Sequence, residues 1–536
     1  MKQLKLIVFI LSFVFLSNPL YSQNDNVGSG RAIEFDGVDD YIDFGDHYSD
    51  LTLPFTISAW VYLDPSKLST APIFTNRNCS PIYQGFRLVI NASVISVEYG
   101  DGLGGNSPAF RRGKLANVTG LLGRWNHVTA VVRDVFDMDL YLNGVNVGGS
   151  PSGDSYNTMV SNVPGVSGFT SSAYFTSNDV IYRYHGLIDE IRFWNRSLSQ
   201  EEIRQTMCVN LKGNERGLIG YWDFNETSGD IVFDKSSNKF NGQFVGNPKR
   251  VFSGAPIGDI STYLYATSLS GKTVFLQDGD HKIDVKKIEG IVEGVQLYEV
   301  NSSPSQTTGL DLNDDNKLYF GVFLVNQNSE SAFDAEYSFQ GLGSCTLSLR
   351  DDNSVPSWDK GSNPTIGKLQ RSEFIKASEE NTVSFDLGPD KSLCDQPTYQ
   401  LSTGITDPRF SFQWNTGQNT SSIEVTKPGL YSVKVFGSCD VTKDSVTISQ
   451  IKKSDIGFVP NIITPNGDPK NECFVVDESI VGLVSLKVFN RWGKEVYYSS
   501  AYDNRWNGGD LSSGVYYILL EGSCIEKTKS PLSIIR

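Results

Sequence analysis

Apolar and polar residues alternate with a period of two along many short stretches of the chain. Residues 55–61 read Phe-Thr-Ile-Ser-Ala-Trp-Val, and residues 125–131 read Trp-Asn-His-Val-Thr-Ala-Val. Asn143 and Gly144 then lie between apolar residues, which is the strongest short-range signal for a β-hairpin. Since successive side chains point to opposite faces of a strand, this pattern predicts half-buried strands joined by tight turns. The chain is therefore predicted to be all-β.

The length and composition support several β domains. The chain has 536 residues, too many for one hydrophobic core, which predicts about three to five domains. Aromatic residues make up 12% and glycines number 50, as is typical of short strands and tight turns. Acidic residues number 61 against 46 basic ones, a net charge of −15. This balance argues against a nucleic-acid partner, because phosphate binding needs a basic face, and it suits divalent cations.

The first residues of the chain have the pattern of a signal peptide. Lys2 and Lys5 precede an apolar run over residues 6–16, which is too short to span a bilayer, and Ser22 offers a small residue for cleavage. We therefore predict a signal peptide over residues 1–22 and an exported mature protein. No later stretch is apolar enough to cross a membrane, so no transmembrane segment is expected after the signal is removed.

Seven cysteines in an exported chain suggest disulfide bonds, with at least one cysteine left over. Close Cys-x-x-Cys spacing is absent, so structural pairing is favoured over a zinc site. The candidate bonds are Cys394–Cys439 and Cys473–Cys524, each within a small domain, and Cys79–Cys208 within the first domain, which would leave Cys345 single.

Strand and turn motifs follow one another in a definite order over the first 250 residues. They are an opening strand, Asp/Gly turn and strand at residues 32–42, the hairpin at residues 140–145, a strand at residues 186–195, a capped short helix at residues 199–205, and a closing segment at residues 220–226. In this order they resemble a LamG-like jellyroll, a member of the concanavalin A-like sandwiches. We therefore predict an N-terminal jellyroll sandwich over residues 27–250.

That resemblance implies a structural calcium ion and, in some members, a face that binds glycans. Calcium takes roughly six to eight oxygen ligands from carboxylates and loop carbonyls. The acidic residues at the matching positions are Asp36 and Asp39 in the opening turn and Asp189 in the late strand, and these are the candidate metal ligands. The alternative is that Asp36 and Asp39 only make Asx-type turn bonds and that Asp189 makes a strand-end contact.

Glycan recognition needs an exposed aromatic ring beside polar groups. Trp60, Trp125 and Trp194 lie within apolar alternation and are predicted to be core residues. Four tyrosines beside polar or Gly-rich loops are candidates for a surface platform, with core packing as the alternative: Tyr83, Tyr99, Tyr182 and Tyr184. The long polar loops over residues 80–112 and 150–179 are where we expect binding.

Two further β modules are predicted after the jellyroll. Residues 251–385 contain several strand-like segments but no motif that indicates a family, and their acidic loop 311–316 lacks the Gly and the bidentate Glu of an EF-hand. Residues 386–450, with central Trp414, a later Tyr431 and two bracketing cysteines, resemble the Ig-like or PKD-like modules of surface proteins. That resemblance implies a spacer.

The end of the chain carries three ordered turn motifs. They are Thr-Pro-Asn-Gly-Asp at residues 464–468, Phe-Asn-Arg-Trp-Gly at residues 489–493 and Trp-Asn-Gly at residues 506–508. Together they resemble the C-terminal sorting domain of type IX secretion substrates, also called the gliding-motility-associated C-terminal domain, although Pro469 departs from its usual Gly-Asp-Gly pattern. The resemblance implies that residues 455–536 are recognised by the type IX secretion machinery and that the protein reaches the cell surface or the extracellular space.

A catalytic role finds no support in these motifs. Glycosidases of concanavalin A-like fold place two Glu residues on one strand, two positions apart, so that both face one cleft. Here Glu190 stands beside Asp189, and adjacent strand residues face opposite sides. The four histidines match no metalloprotease or nucleophile-elbow pattern, so no catalytic residue is predicted.

The sequence therefore predicts an exported, non-catalytic binding or adhesion protein. Its jellyroll domain is expected to recognise a carbohydrate or a surface glycoconjugate, with calcium as a structural ion. The alternatives are a glycan-cleaving enzyme of the same fold and a purely architectural gliding or surface-layer component. The ligand, the cleavage of the C-terminal domain and the choice between anchoring and release stay open.

Overall fold

The computed structural model describes most of the chain. The described residues are 28–66, 70–76, 82–104, 107–161, 166–167, 169–170, 182–310, 318–325, 331–339, 347–360, 365–367, 371–376, 383–393, 398–437, 441–450, 459–482, 484–522 and 525–536. Regular structure in these ranges is almost entirely β-strand, so the all-β prediction is confirmed. The predicted signal peptide and the acidic loop 311–316 lie outside these ranges. The chain separates into two compact units, residues 1–378 and residues 379–536.

The head region of the first unit, residues 28–252, is a sandwich of two large antiparallel sheets. Its elements are β1 (Arg31–Asp36), β2 (Tyr41–Asp43), β3 (Phe55–Leu63), β4 (Ala71–Thr75), β5 (Phe86–Ile90), β6 (Val94–Gly100), a 3-10 turn (Pro108–Phe110), β7 (Arg111–Asn117), β8 (Trp125–Val132), β9 (Met138–Leu142), β10 (Val145–Asn146), β11 (Ser150–Ser152), β12 (Val166–Ser167), β13 (Phe169–Thr170), β14 (Tyr182–Arg183), β15 (His185–Trp194), α1 (Gln200–Thr206), β16 (Leu218–Trp222), β17 (Ile231–Val232), β18 (Gly242–Val245) and β19 (Lys249–Phe252).

Sheet A runs in the order β10-β9-β8-β3-β15-β1-β19, with β16 paired to β15, and sheet B runs β11-β7-β6-β5-β4-β12-β2-β18-β17. β13 and β14 form a separate two-stranded sheet. α1 begins at the predicted cap, because the Ser199 hydroxyl accepts from the Glu202 amide while the Glu202 carboxylate accepts from the Ser199 amide. The first and late strands are neighbours as expected, with Ile33 opposite Ile188.

The side chains on both faces of strand β3 are packed against other layers, so nearly every residue along the strand is buried. Phe55, Ile57 and Ala59 belong to the core between the two sheets. Trp60 points the opposite way, into a second apolar cluster on the outer face of sheet A. An antiparallel sheet commonly leaves one face to water. Here another layer covers that face.

That layer is the flanking region, residues 260–376. Its strands are β20 (Ile260–Tyr265), β21 (Val274–Asp278), β22 (His281–Glu289), β23 (Gly294–Val300), β24 (Tyr319–Val325), β25 (Ala332–Phe339), β26 (Leu347–Arg350), β27 (Asp359–Lys360), β28 (Thr365–Gly367) and β29 (Arg371–Lys376). They form a six-stranded sheet, β20-β23-β24-β29-β26-β27, and a four-stranded sheet, β21-β22-β25-β28.

The two regions share a hydrophobic core. The head contributes Trp60 and Trp125, and the flanking region contributes Tyr298 and Phe323, all of them buried. The Trp60 and Phe323 rings meet edge to face with centroids 5.2 Å apart, a favourable aromatic geometry. The Trp60 indole donates to the Met207 carbonyl at 2.7 Å, so its polar atom is also satisfied. The predicted domain boundaries stay predictions, but the two regions are packed as one body.

A buried ion pair adds a polar link between the regions. Arg350 and Glu373 lie 2.7 Å apart, and their side chains are 0% and 1% exposed. Glu373 also accepts from the hydroxyls of Ser29 and Tyr298, each at 3.1 Å. Asn353 donates to the Gly30 carbonyl at 3.0 Å. Because a buried pair is tolerated only when its remaining polar atoms are bonded, this network depends on the first described residues of the chain.

The second unit contains two separate sets of strands. The first set is β30 (Lys391–Leu393), β31 (Tyr399–Ser402), β32 (Ser411–Trp414), β33 (Ser422–Val425), β34 (Gly429–Phe436) and β35 (Val441–Gln450). Trp414 is buried in the core of this set, and its indole donates to the Thr420 carbonyl at 2.8 Å. Tyr431 donates to the Lys427 carbonyl four residues upstream at 2.8 Å.

The second set is β36 (Ile462–Ile463), a 3-10 turn (Glu478–Ile480), β37 (Val484–Phe489), β38 (Glu495–Ser499), β39 (Gly514–Gly522) and β40 (Ile525–Ile534). The strands form one sheet in the order β36-β40-β39-β37-β38. Trp506 belongs to the core of this sheet and stacks on Tyr497 with centroids 4.9 Å apart. Trp492, from the Trp-Gly turn, is 75% exposed instead.

The cysteines require a correction. Cys208 and Cys473 are free cysteines in the structure, so the predicted bonds from Cys79 to Cys208 and from Cys473 to Cys524 are not formed. Cys208 is fully buried in the apolar cluster beneath sheet A, where burial raises the pKa of its thiol. The thiol of Cys473 instead donates to the Arg505 carbonyl at 3.5 Å. Cys79, Cys345, Cys394, Cys439 and Cys524 lie outside the described residues.

Shortening Phe323 tests the shared core. Because Phe323 is 0% exposed and packs on Trp60, Phe323→Ala should lower the free energy of unfolding by about 3–5 kcal/mol. Phe275 is 54% exposed in the same region, so Phe275→Ala is a matched control that should cost less than about 0.5 kcal/mol. Urea unfolding followed by tryptophan fluorescence measures both. Equal, small losses would contradict a shared core.

Candidate functional site

Backbone hydrogen bonds hold several loops together at one end of the head region. The Gly85 amide donates to the Val160 carbonyl at 2.6 Å, and the Gly102 amide donates to the Tyr83 carbonyl at 2.9 Å. The Asp154 amide donates to the Pro108 carbonyl at 2.7 Å. These bonds join segments from both long loops that the sequence singled out. Loops fixed in this way on a rigid sandwich can present side chains in a defined geometry.

Asp101 is the polar anchor of these loops. It is 2% exposed, and its carboxylate accepts from the Ser155 hydroxyl at 2.5 Å, the Asn157 amide group at 3.2 Å and the Leu103 backbone amide at 3.0 Å. The Tyr99 hydroxyl donates to the Asn157 carbonyl at 3.1 Å. Residues 155 and 157 are therefore both fixed, which sets the position of the residue between them.

That residue, Tyr156, forms an exposed aromatic pair with Phe136. Tyr156 is 77% exposed and Phe136 is 63% exposed, and their ring centroids are 5.7 Å apart. The Arg112 guanidinium lies 4.9 Å from the Phe136 centroid and donates to the carbonyls of Val135 at 3.1 Å and Gly153 at 3.2 Å. Arg112 thereby joins the two loops that carry the rings. We call Phe136, Tyr156 and Arg112 the aromatic platform.

The tyrosines proposed from the sequence do not form this platform. Tyr83, Tyr99 and Tyr184 are 0%, 1% and 0% exposed, so a surface role for them is wrong and the core alternative is correct. The Tyr182 side chain lies outside the described part of the chain. The predicted burial of Trp60, Trp125 and Trp194 is confirmed.

The sequence around the platform residues contains a signal for exposed rings that was not used in predicting the binding surface. Phe136 stands inside the turn Asp134–Asp137, where the Asp134 carboxylate accepts from the amides of residues 136 and 137 at 2.7 and 2.9 Å. Tyr156 stands in a Ser/Gly/Asp-rich loop. A large ring in a tight polar turn has no strand neighbours to cover it, and this marks it as exposed.

The opening turn gathers three carboxylates. Single oxygen atoms of Asp36, Asp39 and Asp40 lie within 4.8 Å of one another, and Asp36 and Asp39 are exposed while Asp40 is buried. Asp40 accepts from the amides of Asp36 at 3.1 Å and Asn247 at 2.6 Å. Arg183 donates to the Val38 carbonyl of this turn at 2.7 Å and is attracted by Asp39 and Asp36. Both a cation and an arginine can therefore balance this charge.

Asp189 does not lie with this group. Asp36 pairs with His185, and Asp189 is four residues further along β15, a separation of roughly 13 Å at the usual strand rise. It is 1% exposed and accepts from the Ser253 hydroxyl at 2.6 Å. Burial, and then the neighbouring Glu190 carboxylate, raise the pKa of Asp189 well above its usual value. The third carboxylate of the group belongs instead to Asp40, which the sequence did not predict as a ligand.

Buried acids in the head region are engaged in structural bonds. Glu190, at a β-bulge in β15, accepts from Arg192 and from the Tyr221 hydroxyl at 3.1 Å. Glu98 accepts from Tyr83 and forms ion pairs with Arg87 at 3.1 Å and Arg111 at 3.6 Å. Both carboxylates are thus buried and bonded to other side chains of the head region.

The longest α-helix within the described ranges, α1, has seven residues, and none there has the length and apolarity needed to cross a bilayer.

Comparison with known families identifies two parts of the chain. Residues 36–204 match the family model of the concanavalin A-like lectin/glucanases superfamily, and residues 457–533 match that of the CHU_C type IX secretion signal domain. The resemblances to a concanavalin A-like jellyroll and to a type IX secretion sorting domain are thereby confirmed, whereas the Ig-like or PKD-like module at residues 386–450 stays a prediction. No curated protein matches the chain.

Solved structures with similarity to the chain include a candidate carbohydrate binding protein from Bacteroides ovatus ATCC 8483, with 19% identity, a TM-score of 0.32 and coverage of 43% of this chain and 62% of that one. The match thus spans less than two thirds of the Bacteroides ovatus chain. A native heptameric SAP-like pentraxin from Limulus polyphemus shows 15% identity, a TM-score of 0.26 and coverage of 42% and 95%. The sialidase CBM40 of Ruminococcus gnavus, bound to α2,3 sialyllactose, shows 15% identity, a TM-score of 0.24 and coverage of 33% and 97%.

The chain therefore carries a concanavalin A-like domain over residues 36–204 and a type IX secretion signal domain over residues 457–533, which indicates export to the cell surface or the extracellular space.

Proposed function

We propose that this protein is an exported, non-catalytic carbohydrate-binding protein whose aromatic platform receives a sugar of a polysaccharide or surface glycoconjugate. The observation that carries the proposal is the exposed pair of Phe136 and Tyr156, 5.7 Å apart on loops of a concanavalin A-like domain. Apolar rings left open to water beside polar groups mark binding surfaces. A sugar ring offers a matching apolar face and hydroxyls.

The polar surroundings of the platform suit such a ligand. Arg112 offers cationic donors at the rings, and the turn that bears Phe136 carries the carboxylates of Asp134 and Asp137. Asp101 and Asn157 fix the loop before binding, so little ordering entropy is lost when a ligand arrives. Prearranged rings with nearby donors and acceptors favour a binding role over an architectural one.

Calcium is proposed as a structural ion at the opening turn. The supporting observation is the group of Asp36, Asp39 and Asp40, whose oxygen atoms lie within 4.8 Å of one another. Carboxylate oxygens are the ligands that calcium prefers. The ion would stiffen the turn between β1 and β2.

Export through the type IX machinery follows from the C-terminal match, and we propose that the machinery recognises the folded sheet of residues 459–536. This sheet has its own hydrophobic core, so it can be presented as a folded unit.

Substitution of the platform rings tests ligand binding. Tyr156→Ala and Phe136→Ala should each weaken binding to the best glycan on a panel about tenfold, or ~1.4 kcal/mol, because each removes one apolar contact face. Titration calorimetry on the mature full-length chain measures the affinity. Tyr498→Ala, at a ring 53% exposed in the second unit, is the control and should leave affinity unchanged.

Retained affinity in both platform variants would contradict the site. Release of reducing sugar by the mature chain would instead support the glycan-cleaving alternative.

Neutralising one acid of the opening turn tests the calcium proposal. A bound ion stabilises the fold by about 2.7 kcal/mol when free calcium is roughly 100 times its Kd. Asp39→Asn should abolish this gain, while Asp50→Asn, at another exposed acid, should keep it. Calorimetric melting in calcium and in chelator measures the difference. Asp189→Asn should lower the melting temperature equally in both, since Asp189 bonds to Ser253. A calcium-independent melting temperature in the unmodified protein would contradict the proposal.

Deleting residues 456–536 tests the role of the C-terminal domain in export. The truncated protein should remain in the periplasm, because it lacks the type IX secretion signal domain at residues 457–533. Surface labelling of intact cells measures its location. As a control, a chain in which an unrelated β-sandwich replaces residues 459–536 should also be retained. Normal surface labelling of either variant would overturn the assignment.

A further inference from the structure

A buried carboxylate without a hydrogen-bond donor lies in the flanking region. Glu299 on β23 is 0% exposed, and no donor within the described ranges reaches either of its carboxylate oxygens. Tyr298 and Val300, its neighbours along the strand, face the core shared with the head region. Glu299 therefore points the other way, into the space between the two sheets of the flanking region.

A second carboxylate meets it there. Asp278, the last residue of β21, lies within hydrogen-bonding reach of Glu299. Asp278 is exposed, so the pair is open to solvent on one side. Asp259 contributes further negative charge, but its own oxygens accept from Asn210 at 3.4 Å and Asn301 at 2.7 Å.

No lysine of the adjacent strand β22 is directed at this pair. Lys282 pairs with Asp284 at 2.8 Å, Lys286 pairs with Glu336, and Lys287 pairs with Asp334 at 2.6 Å. On the same hairpin, His281 shares a hydrogen bond of 2.6 Å with the hydroxyl of Tyr337, which is 2% exposed. The three lysines therefore leave the charge of the two acids uncompensated, whereas His281 lies opposite Asp278 in the β21–β22 register and is attracted by its charge.

Such a pair is unfavourable when both acids are ionised. An uncompensated buried charge is unfavourable, and a second carboxylate within reach adds repulsion. Burial, followed by the charge of Asp278, raises the pKa of Glu299 to about 7. Loss of the Glu299 proton beside the Asp278 carboxylate is therefore unfavourable, and a bound cation would relieve the repulsion.

We propose that Glu299 and Asp278 bind a divalent cation of the calcium or magnesium class, with water as the remaining ligands. Two carboxylates with retained water are a common arrangement for such hard cations. The site is separate from the opening turn and connects β21 to β23, which belong to different sheets of the flanking region. Its ion would tie the two sheets together.

Cation binding by the mature full-length chain tests the proposal. Calcium and magnesium are titrated separately by calorimetry at pH 8 into Asp39→Asn protein, which removes the contribution of the opening turn. In this Asp39→Asn parent, a second substitution, Asp278→Asn or Glu299→Gln, should lower the affinity for the cation at least about tenfold, a loss of ~1.4 kcal/mol. Asp278→Asn changes an exposed side chain, so it keeps the test valid if Glu299→Gln fails to fold. Asp280→Asn, at an exposed acid of the same hairpin, is the matched control and should bind as before.

The pH dependence gives a second readout. Protons compete with the cation as the pH falls through the pKa of Glu299, so affinity should drop between pH 8 and pH 6 in the parent and not in Glu299→Gln. The proposal is overturned if neither cation binds the parent, the Asp39→Asn protein, at pH 8. In that case the two carboxyl groups would share a proton and bind no cation. It is also overturned if Asp278→Asn binds as tightly as the parent.

Discussion

The contact between the outer face of sheet A and the flanking region is the constraint on which the first unit depends. Strand β3 has apolar side chains on both faces, and Trp60 on the outer face is closed off by Phe323. A jellyroll that exposed Trp60 and Trp125 to water would lose the burial of two of its largest side chains. The flanking region therefore completes the sandwich rather than spacing it from the next module.

The binding surface that we propose is separate from this covered face. With the outer face of sheet A covered, the exposed rings of Phe136 and Tyr156 stand apart from the shared core. Their geometry depends on Asp101 and Arg112, which connect loops that are distant in sequence. Recognition requires rings that are exposed to the ligand and held in a fixed geometry by the loops that carry them.

Much of the fold could be predicted from local pattern, because alternation and Asn-Gly turns act over a few residues. The strands around Trp60 and Trp125 and the cap at Ser199 follow from such signals. Two kinds of feature could not be predicted in this way. The burial of Tyr83 depends on which loops meet in space, and the separation of Asp189 from Asp36 depends on the β1–β15 register. The free thiol of Cys208 likewise depends on a surrounding core to which both the head region and the flanking region contribute.

The link from Ser29 to Glu373 sets the order in which the first unit can be completed. These two residues are separated by 344 positions in sequence, yet their side chains are hydrogen-bonded and buried. Contacts of such range form slowly, since a long loop must close before they return any stability. In a growing chain, Ser29 cannot make this contact until Glu373 has been synthesised, although β1 can pair with β15 before then. The first unit can therefore reach its final tertiary structure only after residue 373 has been synthesised, more than two thirds of the way along the chain.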